Sequence, residues 1–157
     1  MVKQTMQATG FSQKRTASAI IKNNPISLKY SLEIIRHIKG KRLDKAMTFL
    51  GRVINMQEHV PLRVYHGKVA HRKGQSHSYV KSGRYPIRTS IGILNLLRSV
   101  KANADFKGLD AENLIILHMF ASQGFKRIGN QAMGRISGKR RTHKSCHVEI
   151  VVVEASR

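Results

Sequence analysis

Acidic residues are scarce in this chain: 8 Asp and Glu stand against 29 Lys and Arg, a formal charge of +21 over 157 residues. The first acid is Glu33, and none occurs from Asn113 to Val148. So one-sided a surface repels itself and opposes compaction unless a polyanion neutralises it, and nucleic acid is the commonest polyanion. A merely solvated basic surface does not account for an imbalance of this size. Cysteine is almost absent as well. The single Cys146 excludes an internal disulfide and a Cys-based zinc site, and it fits a reducing compartment. No apolar run approaches the length of a membrane span, and no secretory apolar segment is present. The acid-free start resembles an organelle transit peptide in charge alone. Gln4 to Ser18 has no clear apolar face, so residues 1–16 read as an extended basic arm.

What remains is 41% hydrophobic, enough for one compact domain over residues 17–157. Ala17 to Lys22 reads as a short strand, broken by Pro25, with Ser27 placed to cap a helix. Leu28, Leu32, Ile35 and Ile38 line one face of that helix, and Gly40 ends it. Leu43, Met47, Leu50 and Ile54 predict a second amphipathic helix. Pro86 suits the first turn of a third. Ile87, Ile91, Leu94, Leu97 and Val100 form its apolar face, widened by Ile93 and Leu96, and Gly108 stops it.

Between the second and third helices the periodicity vanishes. Residues 57–85 hold His59, His66, His71 and His77, three tyrosines, and Arg63, Lys68, Arg72, Lys73, Lys81 and Arg84. Pro61, Gly67, Gly74 and Gly83 interrupt them, so the segment reads as a long ordered loop held by a partner. Its histidine spacings match no usual zinc pattern, and stacking or hydrogen bonding to RNA suits them better than a metal.

Leu114 to Ala121 and Cys146 to Glu154 read as strands. The segment between them, 122–145, carries Lys126, Arg127, Arg135, Lys139, Arg140, Arg141 and Lys144, with glycines at 124, 129, 134 and 138. If the strands continue outward, each arm of a hairpin is about a dozen residues, or roughly 40 Å. An isolated hairpin with so few apolar residues is marginal in water, so its order must come from phosphate. Gly129 to Ile136 is a near miss to a phosphate-binding loop. Arg135 and Ile136 stand where that loop needs Lys and then Ser or Thr, and the glycines read instead as bends that let the backbone approach RNA. Asp105, Asp110 and Glu112 cluster around Gly108 as turn and cap residues. No nucleophile, base and orienting group form a catalytic set, so the chain reads as no enzyme, with no metal and no cofactor. A free DNA-binding protein also explains the charge, but it predicts a compact recognition helix or a tail. An RNA-processing enzyme would need Asp105 and Glu112 as a titratable pair in a cleft.

Several runs together resemble one family. They are Lys39 to Asp44, Gly83-Arg-Tyr-Pro86 with the helix into Ala102 to Asp110, Phe125-Lys-Arg-Ile128, Ala132-Met-Gly-Arg135, Arg141-Thr-His143 and the valine-rich end. In order, from Ala17 to Glu154, they resemble the universal large-subunit ribosomal protein numbered twenty-two in bacteria and seventeen in eukaryotes. Val60 to Tyr85 and Cys146-His147 look like its archaeal and eukaryotic branch. The resemblance implies an α+β fold, three helices packed on a small antiparallel sheet with a long protruding β-hairpin. It implies large-subunit ribosomal RNA as partner, contacted by Arg63, Lys68, His71, Arg72, Lys73, Lys81, Arg84, Arg88, Lys126, Arg127, Arg135, Lys139, Arg140, Arg141 and Lys144. It also implies a hairpin tip, Phe125, Lys126, Arg127, Ile128, Gly129, Asn130, Gln131, Ala132 and Met133, lining the polypeptide exit tunnel. The tip would lie beside a second ribosomal protein at the constriction and touch the nascent chain. The implied place is the large subunit in the cytoplasm, with nucleolar assembly if the source is eukaryotic, and no membrane.

Overall fold

The computed structural model describes residues 6–8, 10, 11, 14–73 and 79–155. Its elements run β1 (Thr16–Asn24), α1 (Leu28–Ile38), α2 (Leu43–Ile54), β2 (Val60–Pro61), β3 (Gly83–Arg84), α3 (Ile87–Phe106), β4 (Leu114–Asn130) and β5 (Arg140–Glu154). Three helices therefore pack on an antiparallel sheet of order β1-β5-β4, and β2 and β3 form a separate two-stranded ribbon. The fold is α+β with a β4–β5 hairpin, as the sequence leads one to expect.

One face of the sheet presents Ala17, Leu114, Ile116, Met119, Ala121, Cys146, Val148, Ile150 and Val152 to the helices, and all are buried. Alternation along β5 is strict here, which fixes the register: a slip of one residue would turn every one of these side chains outward. The β4 edge does not stay bare. Gly40 N–H donates to the Ile116 carbonyl (2.9 Å) and Ile116 N–H to the Lys41 carbonyl (3.0 Å). The α1–α2 turn thus covers that edge, with Gly40 at φ +80°, a conformation glycine adopts without strain.

The helices bury faces rotated slightly from those expected. In α1 the fully enclosed residues are Ser31, Glu33, Ile34, Ile35 and Ile38, with Leu28 and Leu32 on the flank. In α2 the stripe is Leu43, Ala46, Phe49, Leu50 and Val53, leaving Met47 and Ile54 partly exposed. In α3 it is Ile93, Leu96, Leu97, Val100 and Ala104, while Ile91 is exposed. Ser31, Ala46, Ser90 and Ala104 are buried too, among the large apolar side chains Ile34, Ile38, Leu43, Leu50, Leu96 and Leu97. Ser27 holds the N-cap position of α1 without a side-chain cap bond, and its carbonyl accepts from Ser31 N (2.9 Å). Pro86 lies one residue before α3, and Gly108 (φ +73°) follows its end.

β1 ties α3 to the sheet. Asn103 Nδ2 donates to the Ser18 carbonyl and Lys107 Nζ to the Thr16 carbonyl, both at 2.9 Å. Asp110 accepts from Glu112 N–H (3.0 Å) and from Asn113 Nδ2 (2.7 Å), so it shapes the turn into β4. Of the N-terminal arm, Gln7 N–H donates to Glu149 Oε2 (3.0 Å) and the Phe11 ring lies 6.0 Å from that of His118. Residues 1–5, 9, 12 and 13 of the arm lie outside the described residues. No helix among the described residues is long and apolar enough to cross a membrane.

Candidate nucleic-acid interface

The two basic segments, 57–85 and 122–145, are separated along the chain by α3, and each has its own fastening. Segment 57–85 is fastened by Glu33, a fully buried side chain in the middle of α1. Its carboxylate accepts three consecutive backbone N–H groups, from Arg63 (3.1 Å), Val64 (2.7 Å) and Tyr65 (2.8 Å). Burial alone would raise the Glu33 pKa. The three N–H donors and the Arg36 guanidinium outweigh it and hold the carboxyl below its ordinary value. At the other end, Gly83 packs directly against the buried His59 ring. A Cβ there would come within 2.0 Å of His59 Cδ2, so only glycine fits.

The segment is not wholly without elements, contrary to the sequence reading. Val60 pairs with Arg84 and Pro61 with Gly83, and a bridge joins His71 to Ser82. Leu62 is buried beneath this ribbon. The local sequence hides these pairs because each strand is only two residues long and no alternation has room to develop. Arg72 is partly spent inside the chain: its Nε donates to the Gly83 carbonyl (3.3 Å) and its guanidinium lies 5.7 Å from the Tyr85 ring centroid. Arg84 Nη1 donates to the Tyr30 hydroxyl (3.0 Å), and Lys29 Nζ lies 5.4 Å from the Tyr65 ring centroid. Arg63, Lys68, His71, Arg72, Lys73, Lys81, Arg84 and Arg88 are all exposed. The four histidines do not share one environment: His59 is buried, His66 and His71 are exposed, and His77, like Gly74, lies outside the described residues.

At the α1–α2 junction, Lys41 Nζ stands 3.0 Å from His37 Nε2. Burial lowers the Lys41 pKa, with Arg63 adding to the shift and Glu58 opposing it.

The hairpin is fastened at a double bulge. Gln123 pairs with Cys146 and Lys126 with Lys144, so Gly124 and Phe125 face one residue, Ser145. On the other side Ile21 pairs with Val148 and Asn24 with Cys146, another irregularity at the same level. Asn23 sits between them at φ +53°. Its Oδ1 accepts from Phe125 N–H (3.0 Å), and its own N–H donates to His147 Nδ1 (3.1 Å). Ser145 Oγ donates to the Phe125 carbonyl (2.7 Å). Here β1 ends and the hairpin leaves the sheet.

Beyond that point the ladder runs through five pairs: Lys126–Lys144, Arg127–His143, Ile128–Thr142, Gly129–Arg141 and Asn130–Arg140. At about 3.4 Å per residue the paired part is about 17 Å, shorter than the arms expected from sequence. A nine-residue turn, 131–139, closes it. Gln131 organises that turn. Its N–H donates to the Lys139 carbonyl (3.1 Å), its carbonyl accepts from Gly138 N–H (2.8 Å), and its Oε1 accepts from Arg141 Nε (2.8 Å) and Nη2. The apex therefore lies farther along the chain than the sequence expectation of Phe125 to Met133. Phe125, Lys126, Arg127, Ile128, Gly129 and Asn130 belong to the strand, and of that set Gln131, Ala132 and Met133 belong to the turn. The missed signal is Gly134 and Gly138, both at positive φ, which place the turn around themselves.

Lys126, Arg127, Arg135, Lys139, Arg140, Arg141 and Lys144 are all exposed, and Lys126 faces Lys144 directly across the ladder. Like charges in that position destabilise a strand pair. The arrangement can attract a polyanion and do no chemistry of its own. Among the described residues no three His, Cys, Asp or Glu stand together as metal ligands.

A family model described as ribosomal protein L22p/L17e matches residues 2–153. The large ribosomal subunit protein uL22 of Ignicoccus hospitalis is 42% identical over 146 residues, covering 90% of this chain and 89% of that protein. Those of Aeropyrum pernix and Methanococcus maripaludis are 40% and 38% identical, with 90% of this chain covered in each case and 92% and 91% of theirs. With a match across nearly its whole length and relatives this similar, the chain belongs to the ribosomal protein L22p/L17e family.

Proposed function

We propose that the chain binds large-subunit ribosomal RNA through segment 57–85 and the outer hairpin, and that the hairpin's apex lines the nascent-polypeptide exit tunnel. As a member of its family the chain is a structural ribosomal protein and not an enzyme. The observation that carries the finer reading is the outer ladder. Lys126 opposes Lys144 and Arg127 opposes His143, with no acid between Asn113 and Val148 to offset them. Such a hairpin lacks the apolar face that would order it alone, and phosphate neutralisation supplies what its own side chains do not.

In this reading the bases of segment 57–85 and of the hairpin, from Arg63 to Lys144, neutralise phosphates, and Arg planes stack on unpaired bases. RNA shape, more than sequence, is recognised. The resemblance to the family puts the far end of the hairpin in the tunnel beside a second ribosomal protein, where it meets the nascent chain. In this molecule the far end is the turn 131–139, with Met133 its most exposed apolar side chain. The place of work is the cytoplasm.

Sedimentation of a cell extract tests the reading. The protein is expected in large subunits at moderate salt and released progressively at high salt. Reversing Arg135, Arg140 and Arg141 to Glu should lower incorporation strongly with an unchanged far-UV circular dichroism spectrum. Absence from large subunits at moderate salt overturns the proposal.

A further inference from the structure

Phe125 is 74% exposed, yet its backbone is among the most firmly held in the hairpin. Its N–H is taken by Asn23 Oδ1 and its carbonyl by Ser145 Oγ. The preceding Gly124 has no room for a side chain: a Cβ would lie 2.6 Å from Ser145 Oγ and 2.9 Å from Asn23 Oδ1. The double bulge thus fixes an aromatic ring outside the core, at the hairpin's root. A single exposed ring is ordinary on a protein surface; this one stands on a fixed backbone at the edge of a groove.

Beside it is a groove of about 610 Å³, lined by Phe125, Arg127, His143, Lys144 and Ser145 from the hairpin and by Asn23 and Pro25 from the β1–α1 junction. That volume falls within the range of small-ligand sites, about 300–1,000 Å³. The lining combines one apolar ring and a proline with two cationic side chains, an imidazole, an amide and a hydroxyl, and it contains no acid. An apolar protein segment would leave those cations unpaired, and a bare phosphate would leave the ring uncovered. A nucleotide satisfies both: its base stacks on the ring, and its phosphate meets Arg127 and His143, which share one face of the ladder.

We propose that the hairpin root is a nucleobase pocket, in which one unpaired base of the bound RNA stacks on Phe125 while Arg127 and His143, paired on one face of the ladder, hold its phosphates. The proposal rests on the RNA-binding reading of the hairpin and gives Phe125 a role separate from the apex. Because the backbone around Phe125 is already fixed, stacking orders little that was free. Base–aromatic stacking is worth roughly five- to hundredfold in affinity per base.

The natural chain has no tryptophan, so Phe125→Trp places a single fluorescent reporter in the pocket. The full-length protein is titrated with a single-stranded adenylate oligomer of about six nucleotides, with an abasic phosphodiester strand of equal length, and with polyglutamate of matched charge. The adenylate oligomer is expected to quench the indole and to bind the natural chain about tenfold more tightly than the abasic strand. Phe125→Ala should erase that preference while leaving abasic binding and the circular dichroism spectrum unchanged. Equal, salt-dependent binding of both strands by the natural chain would overturn the pocket and leave the RNA-binding reading standing. Binding of neither strand would defeat both. Polyglutamate quenching the indole as strongly as adenylate would assign the groove to an acidic protein and also overturn the proposal.

Discussion

The inner and outer halves of β4 and β5 belong to one antiparallel pair, interrupted by the bulge between Gln123 and Lys126, and share almost nothing else. Inside the bulge, cross-strand partners are apolar and buried: Ile116 with Val152, Met119 with Ile150, Ala121 with Val148. Outside it, every rung but Ile128–Thr142 carries an Arg or Lys, and the large apolar side chains, Phe125, Ile128, Met133 and Ile136, are exposed. Both halves are paired antiparallel, so strand pairing alone does not decide where order comes from. Side-chain burial decides. The inner half is stabilised by the helices it covers, and the outer half needs a partner to supply the same service. The Asn23 knot is the border between them.

The largest effect should come from emptying the inner half. Ile150 is fully buried on the central strand, and Ile150→Ala should cost about 2–5 kcal/mol in urea unfolding. Ile128→Ala, the matching deletion on the outer half where the residue is 66% exposed, should stay within about 0.5 kcal/mol. Comparable losses at the two positions would erase the distinction drawn here.

A second, somewhat smaller effect concerns the other basic segment. Glu33→Gln replaces an acceptor-only carboxylate by an amide, whose NH₂ would face backbone donors from Arg63, Val64 or Tyr65. We expect a loss of about 1.5–3 kcal/mol and faster amide exchange across residues 63–65. The pH dependence has a definite sign. Because the folded carboxyl titrates below its ordinary value, its contribution is complete above about pH 4.5 and is lost as pH falls through the lower folded value. The natural chain should therefore lose stability in that acid window, and Glu33→Gln should lose less of it there. Parallel acid profiles for the two proteins would show that Glu33 does not anchor the segment.

The border itself gives a third test. Asn23→Gly removes the acceptor for Phe125 N–H and keeps the left-handed backbone, at about 1 kcal/mol. Asn23→Ala adds the conformational cost of φ +53°, about 1 kcal/mol more. In both, exchange should accelerate at Phe125 and Lys126 before it does at Met119 or Ile150. Uniform acceleration along β4 would mean that the two halves unfold as one.

Much of this architecture is legible in the sequence because its causes are local. The valine-rich β5, the apolar start of β4, and the glycines after α1 and α3 carry their signals within a few residues. What escapes has partners far along the chain. Glu33 reads as the first acid in a basic sequence, and its three N–H donors lie about thirty residues away. Asn23 carries no signal in its local sequence, and its partners are Phe125 and His147. The same limit set the apex too early. Phe125 to Met133 is the conspicuous stretch, but pairing of Asn130 with Arg140 moves the turn to 131–139. Charge imbalance, which needs no contact map, identified the exposed bases of both segments without saying that Arg72 and Arg84 already lean on Tyr85 and Tyr30.

The smallest effect in the free protein is also the most discriminating, because its sign should reverse on binding. Lys144→Glu turns the Lys126–Lys144 pair from like to opposite charges directly across the ladder. Removing that repulsion and adding an attraction should stabilise the isolated hairpin by about 0.2–1 kcal/mol, seen as slower exchange at Lys126 and Ile128. The same change takes two units of positive charge from the surface proposed to meet phosphate. Affinity for structured RNA should fall, and the dependence of log affinity on log salt should become shallower by about one phosphate contact. An inner-half stabilisation would raise both quantities together, since a better-folded protein binds better. If Lys144→Glu improved both the hairpin's order and its RNA affinity, the cationic ladder would be an ordinary structural feature. Opposite signs instead mean that the outer half keeps its own repulsion because the bound state, not the free one, sets its composition.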